Sequence, residues 1–485
     1  MDSHSIAPGF VGNLSSEQED RLQQLWALIL QFGEAPAVSS ILDPISPISS
    51  STEAQPKAPS PSLRGRNSFL FRTESNISRR NSTLAYPAQH ARLLDSLRAG
   101  GMATSEIRAA RKCLASLTPD EVRFGIVTAA KQEPPDAYLL RFLRFAKWDV
   151  NKAFVRLLNS LRWRMKEMNV DSQLLAKGEL HALQLSQRAL DPETAEEGEA
   201  FLDQLRMGKC YVHGVDKMDR PVCVIRVRVH QPGAQSEMVL NQFITHMMES
   251  VRLLITPPQE TATVIFDMTG FSLANMEYAA VKFIIRCFET YYPELLGVML
   301  LHNAPKIFSS IWKVIKGWID PDLVKKIHFT RSVDDLEQFI AREHIVSDLG
   351  GNDDWEYEYT EPDPDENEVM EDYMTRNVLL AERQGITDEF LAATSQWIAA
   401  SRAKDSLGVS EASYYRAETV EQLRTNYWRL DPYIRARNCL DRTGIIQEGG
   451  KIDFYPNSKP PVQIQTAKIL QVEHVERARV KIVNV

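Results

Sequence analysis

The sequence predicts an α/β protein: a mainly parallel β-sheet flanked by helices, preceded by a small helical bundle and followed by a mainly helical C-terminal extension. Three observations predict it. Residues 199–357 alternate short apolar strands with helical stretches, the pattern of a sheet covered by crossover helices. Residues 91–185 carry only helical periodicity, and residues 34–90 lose regular apolar spacing altogether.

Taken in order, residues 14–33 read as one amphipathic helix. Ser16 and Glu19 have the spacing of a capping box, and Leu22, Leu25, Trp26 and Ile29 repeat at helical intervals. The stretch is short and its charges are mostly acidic, so it reads as a helix docked on the main body rather than a membrane anchor. Residues 34–90 are rich in Ser, Pro, Ala and Asn, the composition of a disordered linker. Within it, Arg64-Gly65-Arg66-Asn67-Ser68 and Arg79-Arg80-Asn81-Ser82 have the shape basophilic kinases prefer, which makes Ser68 and Ser82 candidate phosphorylation sites. Patterns this short also arise by chance in Ser/Arg-rich linkers.

In the bundle, a helix opens after Pro134-Pro135 and runs from Asp136 to Phe145, and another runs from Lys152 to Lys166. In residues 199–357, strands are expected at Pro221–Val229, Thr261–Met268, Gly297–Leu301 and Lys326–Thr330. Helices are expected at Val239–Ile255, Met276–Tyr292, Lys306–Trp318 and Val333–Ala341. Strands this continuously apolar imply helices on the sheet, not an aqueous face. Residues 360–485 form the C-terminal extension, with helical stretches to 385, over 387–404 and over 413–430, and an expected strand at Val480–Val485. Trp397, Tyr427, Trp428 and Tyr433 suggest that this extension packs on the α/β domain.

Bulk properties narrow the function. The 485 residues suggest two to four structural units, and 44% apolar with 25% charged residues is ordinary for a globular protein. A formal net charge of −8 argues against non-specific nucleic-acid binding. The five cysteines are scattered and form no C-x-x-C pair, so reduced thiols are expected, with Cys287 a small core hydrophobe. No signal peptide, membrane span, myristoylation glycine or prenylation cysteine is expected. The expected location is cytoplasmic, with only peripheral membrane contact, and the expected state is a monomer. No metal site or other cofactor is expected, because the histidines are dispersed without ligand spacing.

A series of landmarks then falls in order between residues 134 and 357. Leu140-Arg141-Phe142-Leu143-Arg144-Phe145-Ala146-Lys147-Trp148-Asp149 is followed by Asp216-Lys217-Met218-Asp219-Arg220-Pro221-Val222 and Phe266-Asp267-Met268-Thr269-Gly270. Tyr291-Tyr292-Pro293-Glu294, Asn303-Ala304-Pro305, Ile319-Asp320-Pro321 and Leu349-Gly350-Gly351 complete it. This order resembles the CRAL-TRIO lipid-binding family, and in particular fungal phosphatidylinositol transfer proteins. The resemblance implies a CRAL-TRIO fold with a lipid pocket between sheet and helices, closed by a gating helix. It does not extend to the N-terminal helix, the linker or the C-terminal extension.

The segment Lys306–Trp318 is the candidate gate. Phe308, Ile311, Trp312, Ile315, Trp318 and Ile319 make a wide apolar face, and Lys306, Lys313 and Lys316 add positive charge. Such a helix suits the headgroup region of an anionic membrane. By pattern alone it reads first as a core helix; the flanking Asn303-Ala304-Pro305 and Ile319-Asp320-Pro321 reverse that preference through the resemblance. The resemblance also implies a headgroup site at Glu294 and Lys326, where a carboxylate accepts from inositol hydroxyls and an ammonium offsets a phosphodiester. Without it, the pair reads as a helix-end carboxylate and a solvated strand flank.

The sequence departs from the family pattern at instructive places. Ala146, Leu295 and Leu323 stand where the inositol-lipid site has polar residues, and Val212, Cys223, Ala262 and Val264 stand at positions linked to choline lipid. The choline-lipid site is expected to be lost and the phosphatidylinositol site weakened. The more apolar pocket suits a sterol, squalene or other isoprenoid-like second ligand. Asn438-Cys439-Leu440-Asp441-Arg442-Thr443 resembles the end of a phosphoinositide phosphatase motif, but Ala436 stands where the nucleophilic Cys must sit. The expectation is therefore non-enzymatic lipid binding and intermembrane transfer supporting phosphoinositide and lipid homeostasis. A lipid-sensing scaffold is the alternative, and a phosphoinositide-metabolising enzyme is disfavoured.

Overall fold

The computed structural model describes residues 6–32, 90–188 and 190–456. Ser68, Ser82 and the strand expected at Val480–Val485 lie outside the described residues. Five strands, β1 (Cys210–Val215), β2 (Pro221–Arg226), β3 (Ala262–Asp267), β4 (Leu296–His302) and β5 (Ile327–Thr330), form one sheet in sequential order. β1 is antiparallel to β2, and β2 through β5 are parallel. The mainly parallel α/β sheet flanked by helices is thus the observed architecture.

The sequence did not disclose β1. Its ladder with β2 is irregular between Val212 and Val215, and Gly214 sits at φ +66° in that irregularity. A bulge breaks the two-residue alternation by which a strand is read. The turn that follows is held by Asp216, whose carboxylate accepts from the backbone N–H of Met218 and Arg220 and from the Arg220 guanidinium at 2.7 Å. The strand expected to reach Val229 stops at Arg226, and Val227–Val229 form a tight helical turn.

Helices α1 (Ser16–Gln31), α2 (Thr104–Ser116), α3 (Pro119–Ala130), α4 (Pro135–Phe145) and α5 (Val150–Arg162) build the N-terminal bundle. The capping box of α1 lies one residue earlier than expected: Ser15 and Gln18 exchange side-chain and backbone hydrogen bonds, and Ser16 is already helical. Leu22, Leu25, Trp26 and Ile29 are buried, so α1 docks on the body as its pattern indicates.

α6 (Ala176–Arg188) and α7 (Pro192–Arg206) lead into the sheet. α8 (Glu237–Leu254), α9 (Tyr278–Arg286) and α10 (Phe308–Lys316) connect its parallel strands. α9 is shorter than its apolar pattern because Cys287–Tyr291 widens into a π-turn, with Cys287 in the core. The helix expected at Val333–Ala341 stops at Glu337.

The C-terminal extension is a hairpin of two long helices, α11 (Tyr373–Ala403) and α12 (Ser406–Ile434). The first two expected helical stretches merge, because α11 runs unbroken through Gly385. The hairpin packs on the α/β domain as expected and also, to a large extent, on the N-terminal bundle. Phe390, Trp397, Ile398 and Leu423 join the bundle core, whereas Tyr427 joins the core of the sheet domain. Asp136 at the start of α4 accepts from Trp26 Nε1 at 2.7 Å, and its two carboxylate oxygens both accept from Arg416 Nη2 at 2.7 and 2.9 Å. One carboxylate therefore ties α1, α4 and α12 together.

The two faces of the sheet are packed differently. On one face, Tyr211, Val222, Val224, Ile265 and Leu300 are covered by Leu336, Ile340, Ile345, Val346 and Leu349. The covering chain comes directly after β5 and closes at Gly350-Gly351. A Cβ on Gly351 would collide with the Ile345 backbone, so only glycine lets the chain pass there. The other face meets α8, α9 and α10.

Candidate functional site

Period-two alternation sends Cys210, Cys223, Ile225, Ala262, Val264 and Phe266 to this second face. Most are small, and the helices above do not descend far enough to fill the space. An apolar cavity of about 210 Å³ remains. β4 and β5 complete its floor with Met299, Leu301 and Ile327. α8 supplies one wall through Leu240, Phe243, Ile244, Met247, Met248 and Val251. α9 supplies another through Ala280, Val281, Ile284 and Ile285. A wall carrying paired methionines adapts to irregular hydrocarbon shapes.

α8 is anchored behind the cavity by buried charge. Glu249 accepts from Arg164 at 2.6 Å, lies 3.1 Å from Lys131 Nζ and receives the Tyr292 hydroxyl at 2.7 Å. Burial alone would push its carboxyl up, but Arg164, Lys131 and Arg252 outweigh that and hold it well below the usual carboxylate range. Arg252 extends the network to Glu133 at 3.2 Å. The cavity wall is thereby tied to the N-terminal bundle.

α10 covers the cavity. Phe308, Trp312, Ile315 and the following Ile319 line it. Phe308 meets Phe271 edge-on at 5.7 Å, and Trp312 meets Phe329 at 5.4 Å. Buried Phe308, Ile311 and Ile315 hold α10 on the body. Ile311 is buried in the core without lining the cavity. Trp318 departs from the single face read in the sequence. α10 ends at Lys316, and Trp318 sits outside, over Lys282 at 4.8 Å and edge-on to Tyr278 at 5.7 Å. Lys306, Lys313 and Lys316 are exposed, and so are Ile307, Val314 and Trp318.

Glu294 and Lys326 come together. Glu294 enters β4 and Lys326 enters β5, and Lys326 Nζ donates to Glu294 Oε2 at 2.9 Å and to the Leu296 carbonyl at 3.0 Å. Both side chains are about a quarter exposed. Glu294 has φ +57°, a left-handed conformation unusual for a residue with a Cβ. A small cleft beside the pair is lined by Phe145, Lys147, Asp320 and Asp322, with Lys147 and Asp322 ion-paired. Phe288 and Leu323 border both this cleft and the apolar cavity. Leu323 thus puts apolar surface where the family pattern has a polar residue, as do Cys223, Ala262 and Val264 on the cavity floor. Val212 instead faces a separate, more polar pocket beneath β1.

That second pocket contains Cys439 and Glu179. Burial pushes the Cys439 thiol up to about 11, away from nucleophilic thiolate chemistry. Arg442 is occupied by Glu179 and Glu366. Burial would raise the Glu179 carboxyl, but His246 and Arg442 bring it down to about 2. The segment joins the C-terminal extension to α6 and α8. His302 is buried and lies 3.0 Å from Thr330 Oγ1, a packed position. Among the described residues, no group of three or more His, Cys, Asp or Glu side chains is arranged to hold a metal, and no helix is long and apolar enough to cross a membrane.

One feature escaped sequence reading altogether. Lys209, Arg226, His230 and Glu277 line one end of the apolar cavity. They are scattered over three loops and one strand end, so no local pattern announces them.

A sheet with one filled face, and on the other an apolar cavity covered by a helix, defines a carrier-type fold for hydrophobic ligands. The chain belongs to the CRAL-TRIO family. The CRAL/TRIO domain matches residues 205–351, and the CRAL/TRIO N-terminal domain matches residues 111–159. The chain is 36% identical over 383 residues to a CRAL-TRIO domain-containing protein of Schizosaccharomyces pombe, spanning 77% of this chain and 82% of that protein. It is 33% identical over 460 residues to the phosphatidylinositol transfer protein CSR1 of Eremothecium gossypii, spanning 92% of this chain and all of that protein. A SEC14 cytosolic factor of Yarrowia lipolytica is 31% identical over 210 residues, which is 40% of this chain and 38% of the relative.

Proposed function

We propose that the protein binds lipid in the cavity above the sheet and transfers it between membranes without covalent chemistry. The single observation that carries this reading is the apolar cavity under α10, bordered through Phe288 and Leu323 by the Glu294–Lys326 pair. Phosphatidylinositol is the first cargo. Its acyl chains match the apolar walls, and its inositol and phosphodiester match a carboxylate and an ammonium held side by side. The left-handed backbone at Glu294 fits a position held for ligand contact. A sterol, squalene or other isoprenoid-like lipid is the second cargo, because Cys223, Ala262 and Val264 leave the floor almost free of polar groups. Carrying two such lipids would couple phosphoinositide supply to lipid homeostasis.

α10 is the gate and the docking element. Its inner side closes the cavity, and its outer side offers Lys306, Lys313 and Lys316 among exposed Ile307, Val314 and Trp318. This mixture suits peripheral contact with an anionic bilayer by an otherwise cytoplasmic monomer. The raised Cys439 thiol and the engaged Arg442 speak for transport rather than phosphatase chemistry. The test is transfer of radiolabelled phosphatidylinositol between vesicles. Wild type is expected to transfer it, and Glu294→Gln with Lys326→Met is expected to lose that transfer while still taking up squalene. No transfer of either lipid by the wild type contradicts the proposal.

A further inference from the structure

The cavity has a second polar end, far from Glu294 and Lys326. Those two residues precede β4 and β5, at the N-terminal ends of the parallel strands. Lys209 precedes the antiparallel β1 and pairs with Arg226 at the C-terminal end of β2. The two ends are thus separated by a strand length, ~17–20 Å, and by the width of the sheet.

Two buried lysines of this protein differ in what surrounds them. Lys131 is buried and lies against Glu249 at 3.1 Å. Lys209 is equally buried, yet among the described residues no carboxylate pairs with it. Its ammonium meets only neutral acceptors: Gln204 Oε1 at 3.2 Å, Gln235 Oε1 at 3.4 Å and His230 Nδ1 at 3.4 Å. The His230 ring that accepts a hydrogen bond from Lys209 at Nδ1 carries its own proton at Nε2, which it donates toward Glu277 Oε2 at 3.0 Å. Glu277 therefore reaches Lys209 only through the imidazole. The neighbouring Arg226 guanidinium donates to the Met207 and Gly208 carbonyls and has no carboxylate partner among the described residues either. Gln235 Nε2 is buried beside Lys209 without a hydrogen-bond partner. A buried ammonium with no carboxylate in direct contact, next to an unused amide donor, is an arrangement that proteins seldom keep without a ligand.

We infer that this end of the cavity is a binding site for the carboxylate head of a long-chain lipid, one oxygen taken by Lys209 Nζ and the other by Gln235 Nε2. The hydrocarbon tail then lies along the Met247–Met248 wall, and the apolar floor needs no further polar group. This site rests on the lipid-binding reading of the cavity and adds to it a ligand class that the Glu294–Lys326 end does not select. Burial brings the Lys209 ammonium down to about 8, with Glu277 opposing the shift. A bound carboxylate raises it again. Affinity for the acid is therefore full below pH 8 and falls as pH rises above 8. Of the groups facing Lys209, His230 is lowered by burial and stays neutral over pH 7–10, and Glu277 lies on its far side.

The test is fluorescence titration of the full chain, delipidated, with cis-parinaric acid and with its methyl ester, from pH 7 to 10. The wild type is expected to bind the acid at least tenfold more tightly than the ester at pH 7 and to lose that advantage toward pH 10. Lys209→Met is expected to abolish the preference, so that acid and ester bind alike at pH 7. The pH series uses only the wild type, so it stands even where the variant does not fold. Equal binding of acid and ester with no pH dependence overturns the carboxylate site and leaves the cavity intact. Binding of neither probe overturns the cavity reading and this inference with it.

Discussion

The two faces of the sheet use the same five strands and end in opposite states. On the filled face, Ile265 and Leu300 are almost wholly buried against Leu336, Ile340 and Ile345. On the cavity face, the alternate residues of the same strands, Val264 and Met299, look into unfilled space. Strand composition explains only part of this. The larger cause is the cover. Irregular chain after β5, broken into one-turn helices and passed close by Gly351, moulds itself to the strands. The longer α8 and the shorter α9 and α10 are stiff cylinders that arch over small floor residues. A cavity survives where rigid helices cover Ala, Val and Cys, and a core forms where pliable chain covers Leu and Ile.

The most damaging test of that comparison is truncation on both faces. Leu300→Ala removes packed methyl groups and is expected to cost about 2–5 kcal/mol in urea unfolding. Val264→Ala faces space that already lacks partner atoms, so its cost is expected to stay below about 1.5 kcal/mol. Equal losses would mean that the faces are packed alike. Enlargement should reverse the asymmetry. Val224→Trp overpacks the filled face and is expected to cost about 1–3 kcal/mol. Val264→Trp is expected to fold with a smaller loss while bound lipid falls severalfold, measured by lipid analysis of the purified variants.

A smaller effect on stability is expected at the cover. Trp312→Ala with Trp318→Ala should leave the far-ultraviolet circular dichroism unchanged and slow lipid exchange between vesicles severalfold. Unchanged exchange would show that α10 is fixed wall rather than gate. The smallest effect on stability belongs to Glu294→Gln with Lys326→Met. The pair is partly exposed, so its loss is expected to cost less than about 1 kcal/mol in thermal unfolding. Its effect should appear in phosphatidylinositol transfer instead.

Strand and helix alternation made most of the sheet domain legible, because continuous apolar strands and amphipathic helices leave strong periodic signals. β1 was not legible, since a bulge at Val212–Val215 breaks its period. The seat of the C-terminal hairpin was legible only in part, because Trp397 and Tyr427 advertise burial without saying against what: Tyr427 meets the sheet domain and Trp397 the bundle. Family landmarks led to Glu294 and Lys326, 32 positions apart, and the fold sets them 2.9 Å apart. Trp318 looked like part of the inner face because helical phase was extended past Lys316, where α10 ends. Lys209, His230 and Glu277 meet only through tertiary structure, and a single sequence carries no local trace of such a meeting.

The central claim is that the unfilled face of the sheet holds lipid, and mass spectrometry of lipids extracted from the purified protein tests it most directly. The account expects near-stoichiometric recovery of lipid from the wild type, phosphatidylinositol or an isoprenoid-like lipid among it, and severalfold less from Val264→Trp. Recovery of no lipid from the wild type, or of equal amounts from both proteins, would contradict it.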